Sequence, residues 1–178
     1  MAETEVRPLR ADALRNVERV REAAALVFAE QGVDAPVREV AARAGVGVGT
    51  LYRHFPQRVD LVVAVFRDAV DACADAAEEL AAAHPPVEAV AAWLHRFEQF
   101  VATKQGLSAV LYSGDPALAP LPAYFSDRLK PALSGLLDTA VASGEIRDDV
   151  GADELIDAAR ALAGRPAMID LLVDGLRR

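Results

Sequence analysis

Apolar residues recur at steps of three and four in one segment of the chain after another, the spacing of amphipathic helices. The first segment runs from about Asp12 to Gln31, with Leu14, Val17, Val20, Ala24, Val27 and Phe28 on one face, and Gly32 ends it. A shorter one follows, in which Val37, Val40, Ala41 and Ala44 share a face, Gly45 supplies a C-terminal stop and Val46 plugs the turn. The third, about Gly47 to His54, buries Leu51 together with Phe55 just beyond it. Pro56 is expected to open a long fourth helix, along which Leu61, Val65, Ala69, Cys73, Ala76 and Leu80 recur until His84-Pro85-Pro86 breaks it.

The second half continues in the same period. A helix from Pro86 to Lys104 carries Val87, Val90, Ala91, Leu94 and Val101, overlapped by an aromatic stripe of Trp93, Phe97 and Phe100. A short helix is expected near Leu107 to Tyr112, then a loop punctuated by Pro116, Pro120 and Pro122. Ala123 to Ser143 reads as a long helix through Phe125, Leu129, Leu133, Leu136 and Leu137, kinked at Pro131 and stopped by Gly144. Two helices close the chain. Asp153–Ala163 carries Leu155, Ile156, Ala159 and Leu162, and Pro166–Leu176 is apolar nearly all round, so its own domain or a second chain must cover it.

Composition agrees with a globular all-α chain. Its 178 residues are 53% hydrophobic, enough for one large or two small domains. No uncharged apolar run of about 18 residues occurs and the first residues lack an apolar signal core, which predicts no membrane span and makes the cytoplasm the default compartment. The lone Cys73 excludes an internal disulfide and reads as a small core residue. Enzyme chemistry finds no constellation: His54, His84 and His95 lack metal-ligand spacing, and Glu78-Glu79 and Asp148-Asp149 read as solvated charges. No metal or cofactor is expected. Gly45-Val46-Gly47-Val48-Gly49 is not a phosphate loop, because a helix and not a strand precedes it.

Charge divides the chain in two. The net charge is −8, yet residues 1–58 carry nine arginines against eight acids while the remainder is strongly acidic. Within the first part, the stretch from Pro36 to Leu61 reads as helix, glycine turn, helix, which is a device for reading DNA. Burying Leu51 turns Thr50, Tyr52, Arg53 and His54 outward. Arg53 can fork to guanine or phosphate, Tyr52 and Thr50 can donate to phosphate oxygens, and the Thr50 methyl can touch thymine. Local clusters of Arg38, Arg43, Arg53 and Arg58, not bulk charge, must hold the phosphates.

The runs Glu39-Val40-Ala41, Ala44-Gly45-Val46, Gly49-Thr50-Leu51-Tyr52 and His54-Phe55, with Leu61 beyond, resemble the helix-turn-helix signature of the tetracycline-repressor (TetR) family of bacterial regulators. Ala23 to Gly32 resembles the family's first helix. The resemblance implies an N-terminal three-helix DNA-binding domain over 1–57, whose first residues, 1–11, polar and holding Pro8, read as a flexible arm bearing Arg7 and Arg10. A helical effector-binding and dimerisation domain would fill 58–178. It implies DNA contacts from Arg38, Gly49, Thr50, Tyr52, Arg53 and His54, and from Arg58, which stands where the family usually has a phosphate-contacting lysine.

An effector pocket is implied among Phe66, Val70, Cys73, Trp93, Phe97, Phe100, Leu111, Tyr112, Tyr124, Phe125 and Leu129, with Tyr112, Tyr124, His95 and Lys104 as polar handles. A dimer interface is implied at Leu155, Ile156, Ala159, Leu162, Met168, Ile169, Leu172, Val173 and Leu176, although the Ala163-Gly164-Arg165-Pro166 connection is shorter than in relatives. The expected partners are double-stranded DNA with a palindromic operator, a small apolar or amphipathic effector that releases it, and a second copy of the chain. The competing expectation is a regulator-like adaptor that works through protein contacts or without an effector.

Overall fold

The computed structural model of the chain describes residues 6–103 and 115–178, and the side chains among them except those of residues 6–13 and 103. The helix expected at Leu107–Tyr112, and with it Leu111, Tyr112 and Lys104, lies outside the described residues. The described residues form two units, 6–66 with 115–119 and 67–103 with 120–178.

The first unit contains α1 (Val6–Gln31), α2 (Val37–Ala44), α3 (Val48–His54), the opening turns of α4 (Arg58–Ala83) and a single 3-10 turn at Pro116–Leu118. Helix α1 packs on both α2 and α3. Its core is built from Val20, Ala23, Ala24, Val27 and Phe28 of α1, Val40, Ala41 and Ala44 of α2, and Leu51 of α3. Phe55, Leu61, Val62 and Val65 complete it. Two expectations shift. Helix α1 begins at Val6 and not at Asp12, because Pro8 falls in the first turn, where its missing N–H has no helical partner to lose. Leu14 is 66% exposed and does not join the apolar face assigned to it.

The α2–α3 turn is the most tightly specified piece of this unit. Gly45 adopts the left-handed conformation at φ 66°, its N–H donates to the Ala42 carbonyl at 3.1 Å, and the Val46 N–H donates to the Ala41 carbonyl at 3.0 Å. This paired closure satisfies two carbonyls at the end of α2 and turns the chain within two residues into the Gly47 cap of α3. Pro56 does not open α4. That helix starts two residues later, with the Asp60 carboxylate accepting the Gln57 N–H at 2.8 Å.

The second unit comprises the rest of α4, α5 (Pro86–Thr103), α6 (Leu121–Ala142), α7 (Ala152–Ala161) and α8 (Pro166–Asp174). Helix α5 is its axis and packs against α6, α7 and α8. Trp93, Leu94 and Phe97 of α5 are fully buried, and the Trp93 indole N–H donates to the Cys73 carbonyl of α4 at 3.0 Å. Helix α6 starts at Leu121, two residues before the expected Ala123, since Pro122 sits in the first turn and not in a loop. It then runs through Pro131 without interruption to Ala142. The turn after α6 is pinned by an antiparallel bridge between Ile146 and Arg177, in which the Arg147 N–H meets the Leu176 carbonyl at 2.8 Å and the Arg178 N–H meets that of Glu145 at 3.1 Å.

Candidate nucleic-acid interface

Helix α3 has only seven residues, too short to be stable alone, and is held by what it buries. Leu51 is 1% exposed and Phe55 8%, so both anchor the helix in the core of the first unit. Fully burying a side chain of this size contributes about 1.5–3 kcal/mol. With that face fixed, Tyr52, Arg53 and His54 are exposed, Gly49 is exposed with open space beside it, and Thr50 is half-buried. Arg38 is exposed on α2. The residues expected to face a groove are thus presented by one short helix and its neighbour, and a side chain or backbone can approach closely at Gly49.

The four arginines do not share one environment. Arg43 is paired with Glu30 of α1 at 2.8 Å. Arg58 is turned back onto its own unit: its guanidinium donates to the carbonyls of Val33 at 3.2 Å and Ala35 at 2.9 Å, with the Asp34 carboxylate at 3.5 Å. A concavity of about 310 Å³ beside it is lined by Val33, Asp34, Gln57, Arg58, Val59, Val62, Asp115 and Leu118.

In the second unit the expected pocket residues form a packed aromatic stack. Trp93 and Phe97 lie parallel with centroids 5.7 Å apart, Phe97 meets Phe125 at 5.9 Å, and Phe100 meets Phe125 at 6.4 Å. Val70, Cys73 and Leu129 are buried in this unit, whereas Phe66 is buried in the first. Burial pushes the Cys73 thiol up to about 12, so it stays a neutral core residue. Phe100 and Phe125 are half-buried and form the accessible edge of the stack.

Sequence reasoning missed the polar clasp between α4 and α6. The Tyr124 hydroxyl lies 2.7 and 2.6 Å from the two carboxylate oxygens of Asp71. Arg128 donates through Nε to Asp71 and through a terminal nitrogen to Asp75, both at 2.7 Å, and Arg67 lies 4.9 Å over the Tyr124 ring. Burial raises the Asp71 carboxyl, but the bonds from Tyr124 and Arg128 and the charges of Arg128 and Arg67 outweigh it and hold the group below the usual carboxylate range. The bond to Asp71, then burial, pushes the Tyr124 phenol up. The sequence did carry a trace: Asp71 and Asp75 are four apart on one helix, and Tyr124 and Arg128 four apart on the other. Beside the clasp, Ala74, Asp75, Ala77, Glu78, Asp127, Arg128, Pro131 and Ala132 line an open groove of about 350 Å³.

The residues expected at a dimer interface divide sharply. Leu155, Ile156, Ala159, Ile169 and Val173 are buried within the chain's own second unit, because α7 and α8 turn those faces onto α5, and Leu176, just beyond α8, is buried as well. Met168 is 40% exposed, Leu162 and Leu172 are half-buried, and Leu171, not among the residues expected there, is 61% exposed. The short connection between these helices is held from α5. The Glu98 carboxylate, 3% exposed, accepts the Gly164 N–H, and His95 lies 2.7 Å from Asp170. His95 is therefore engaged with α8, not free as a handle for an effector.

Among the described residues there is no cluster of three potential metal ligands, and no helix is long and apolar enough to cross a membrane.

Comparison with known proteins points the same way as the geometry. Residues 20–65 match the model of bacterial regulatory proteins of the tetR family, and residues 85–178 match that of the SbtR-like transcriptional regulator C-terminal domain. A TetR transcriptional regulator from Streptomyces coelicolor has a solved structure that is 36% identical and superposes with a TM-score of 0.75, over 90% of this chain and 97% of its own. A TetR regulatory protein from Mycobacterium vanbaalenii is 39% identical with a TM-score of 0.75, over 96% of this chain and 100% of its own. An HTH-type transcriptional regulator from Staphylococcus aureus is 43% identical over 54 residues, which is 30% of this chain and 29% of that protein. This match to a curated relative therefore spans less than a third of the relative's length. With one family model covering the DNA reader and another the span from α5 to the last residue, the chain belongs to the TetR family of bacterial transcriptional regulators, a DNA-binding family and not an enzyme family.

Proposed function

We propose that the chain is a homodimeric, cytoplasmic repressor that reads a palindromic operator through α3 and releases it when a small apolar or amphipathic molecule binds the second unit. The observation that carries this reading is the anchoring of α3: Leu51 and Phe55 fix the helix while Tyr52, Arg53 and His54 stay exposed. One seven-residue helix reads too few bases for tight specific binding, so a second copy related by a two-fold axis is required, with half-sites about 34 Å apart or a multiple of it. The exposed apolar residues Met168 and Leu171 on α8 supply a surface for that copy. The accessible aromatic edge at Phe100 and Phe125 favours an apolar ligand. To move the protein from 99% competent to 99% released, such a ligand must prefer the released conformation by about 5.5 kcal/mol.

The test is selection of bound duplexes from a random DNA pool with purified protein, followed by sequencing. A palindromic consensus supports the reading. A consensus without two-fold symmetry refutes the palindrome, and no enrichment even at low salt refutes operator recognition and favours an adaptor working through protein contacts.

A further inference from the structure

We infer that Arg58 is a positioning residue of the DNA reader and not one of its phosphate ligands. This rests on the reading of α3 as the recognition helix and deepens it. Arg58 is the first residue of α4, and its half-exposed fork of donors bonds to two carbonyls of the turn between α1 and α2. One terminal nitrogen is bonded to Val33 and the other to Ala35, and the carboxylate of Asp34 lies between them in sequence at 3.5 Å. Those two carbonyls belong to the turn that leads into α2, so the guanidinium ties the start of α4 to the segment that aims the reader. A carbonyl in such a turn has no helical donor, and Arg58 provides one.

Electrostatics around the site argue in the same direction. Asp34 and Asp115 line the concavity next to the guanidinium, and the Asp60 carboxylate already accepts the N–H at the mouth of α4. A phosphate approaching Arg58 would meet carboxylates beside it, which weaken its attraction to the guanidinium. Arg53, exposed on α3, is the contrasting case.

Lysine would not replace this arginine. An ammonium is a point charge without the fork that spans two carbonyls, whereas at a phosphate it is an adequate substitute. The two roles therefore predict opposite results for one conservative variant.

The experiment measures affinity for the selected duplex against salt concentration for the wild-type dimer, Arg58→Lys, Arg58→Ala and Arg53→Ala. Amide hydrogen exchange at Val33 to Val37 is read on the same DNA-free proteins. For a positioning residue, both Arg58 variants lose affinity at least about fivefold, keep the wild-type slope of log K against log salt, and exchange faster in the turn. Arg53→Ala serves as the reference, lowering the slope by about 0.9 for each phosphate it no longer neutralises. Full affinity in Arg58→Lys, together with a slope reduced by about 0.9 per phosphate in Arg58→Ala, would overturn the inference in favour of a phosphate ligand. Unchanged affinity and exchange in both variants would overturn it in favour of an idle surface arginine. If the wild type selects no duplex, the recognition reading fails by itself, and the exchange measurement still decides whether Arg58 holds the turn.

Discussion

Two glycines of the reader, four residues apart, should respond to the same substitution with opposite signs. Gly45 and Gly49 both have open space where a Cβ would stand, so packing clashes do not enter at either site. Gly45 sits at φ 66°, a conformation that costs an L-residue about 1–2 kcal/mol. Alanine also restricts the unfolded chain, which returns about 0.4–1 kcal/mol, leaving Gly45→Ala destabilised by about 1 kcal/mol. Gly49 is in the first turn of α3 with ordinary helical geometry, and there alanine should stabilise by about 0.5 kcal/mol. Urea denaturation followed by circular dichroism reads both, with an expected separation of about 1.5 kcal/mol between the variants. The same proteins tested on a selected duplex should dissociate stability from binding, because a methyl at Gly49 intrudes on the exposed face proposed to meet DNA while strengthening the helix. Equal or inverted stability effects would refute the left-handed backbone at Gly45 as the source of the difference.

Acidification should weaken the second unit through Asp71. Its carboxyl lies below 3.8 in the folded chain, so the unfolded chain binds the extra proton first, and stability is lost as pH falls from about 3.8 through the lowered value. Thermal melting of Asp71→Asn should show a flatter dependence across that window than the wild type, and identical dependence would contradict the clasp. Cys73, with its thiol near 12, carries about one part in ten thousand of thiolate at pH 8 and should resist alkylation in the native protein yet react rapidly in denaturant; fast native labelling would disprove its burial. Leu171→Asp, which removes the most exposed large apolar residue of α8, should weaken self-association at least about tenfold in sedimentation equilibrium without altering helical content, and an unchanged dimer would place the contact elsewhere.

The fold was legible where the determinants are local. The small residues Ala41 and Ala44 with Gly45 dictate the α2–α3 turn by themselves, and Leu51 then decides which side of α3 faces out. The bonds of Arg58 to the α1–α2 turn were not legible, since a guanidinium bonded to two backbone carbonyls leaves no mark on the identity of the residues it serves. Helix α8 was only half legible: a helix apolar all round names no face, and the split between buried Ile169 and Val173 and exposed Met168 and Leu171 comes from its packing on α5. The Asp71, Tyr124 and Arg128 clasp demanded knowledge that α4 and α6 lie side by side, which periodicity within each helix does not carry.

The carboxylate of Glu98 narrows what sequences the α7–α8 corner can explore. Almost wholly buried, it accepts the main-chain N–H at position 164, and proline is excluded there because it has no N–H. The φ of 82° at the same residue disfavours β-branched and bulky side chains, leaving glycine first and asparagine or aspartate behind it. A library that lengthens or randomises residues 163–165 while keeping Glu98 should return mostly failures. One that also permits an apolar residue at position 98 should recover many of them, since no buried carboxylate is then stranded when the main-chain N–H moves away or is lost. Engineering of this corner is thus a two-position problem spread over sixty-six residues of chain.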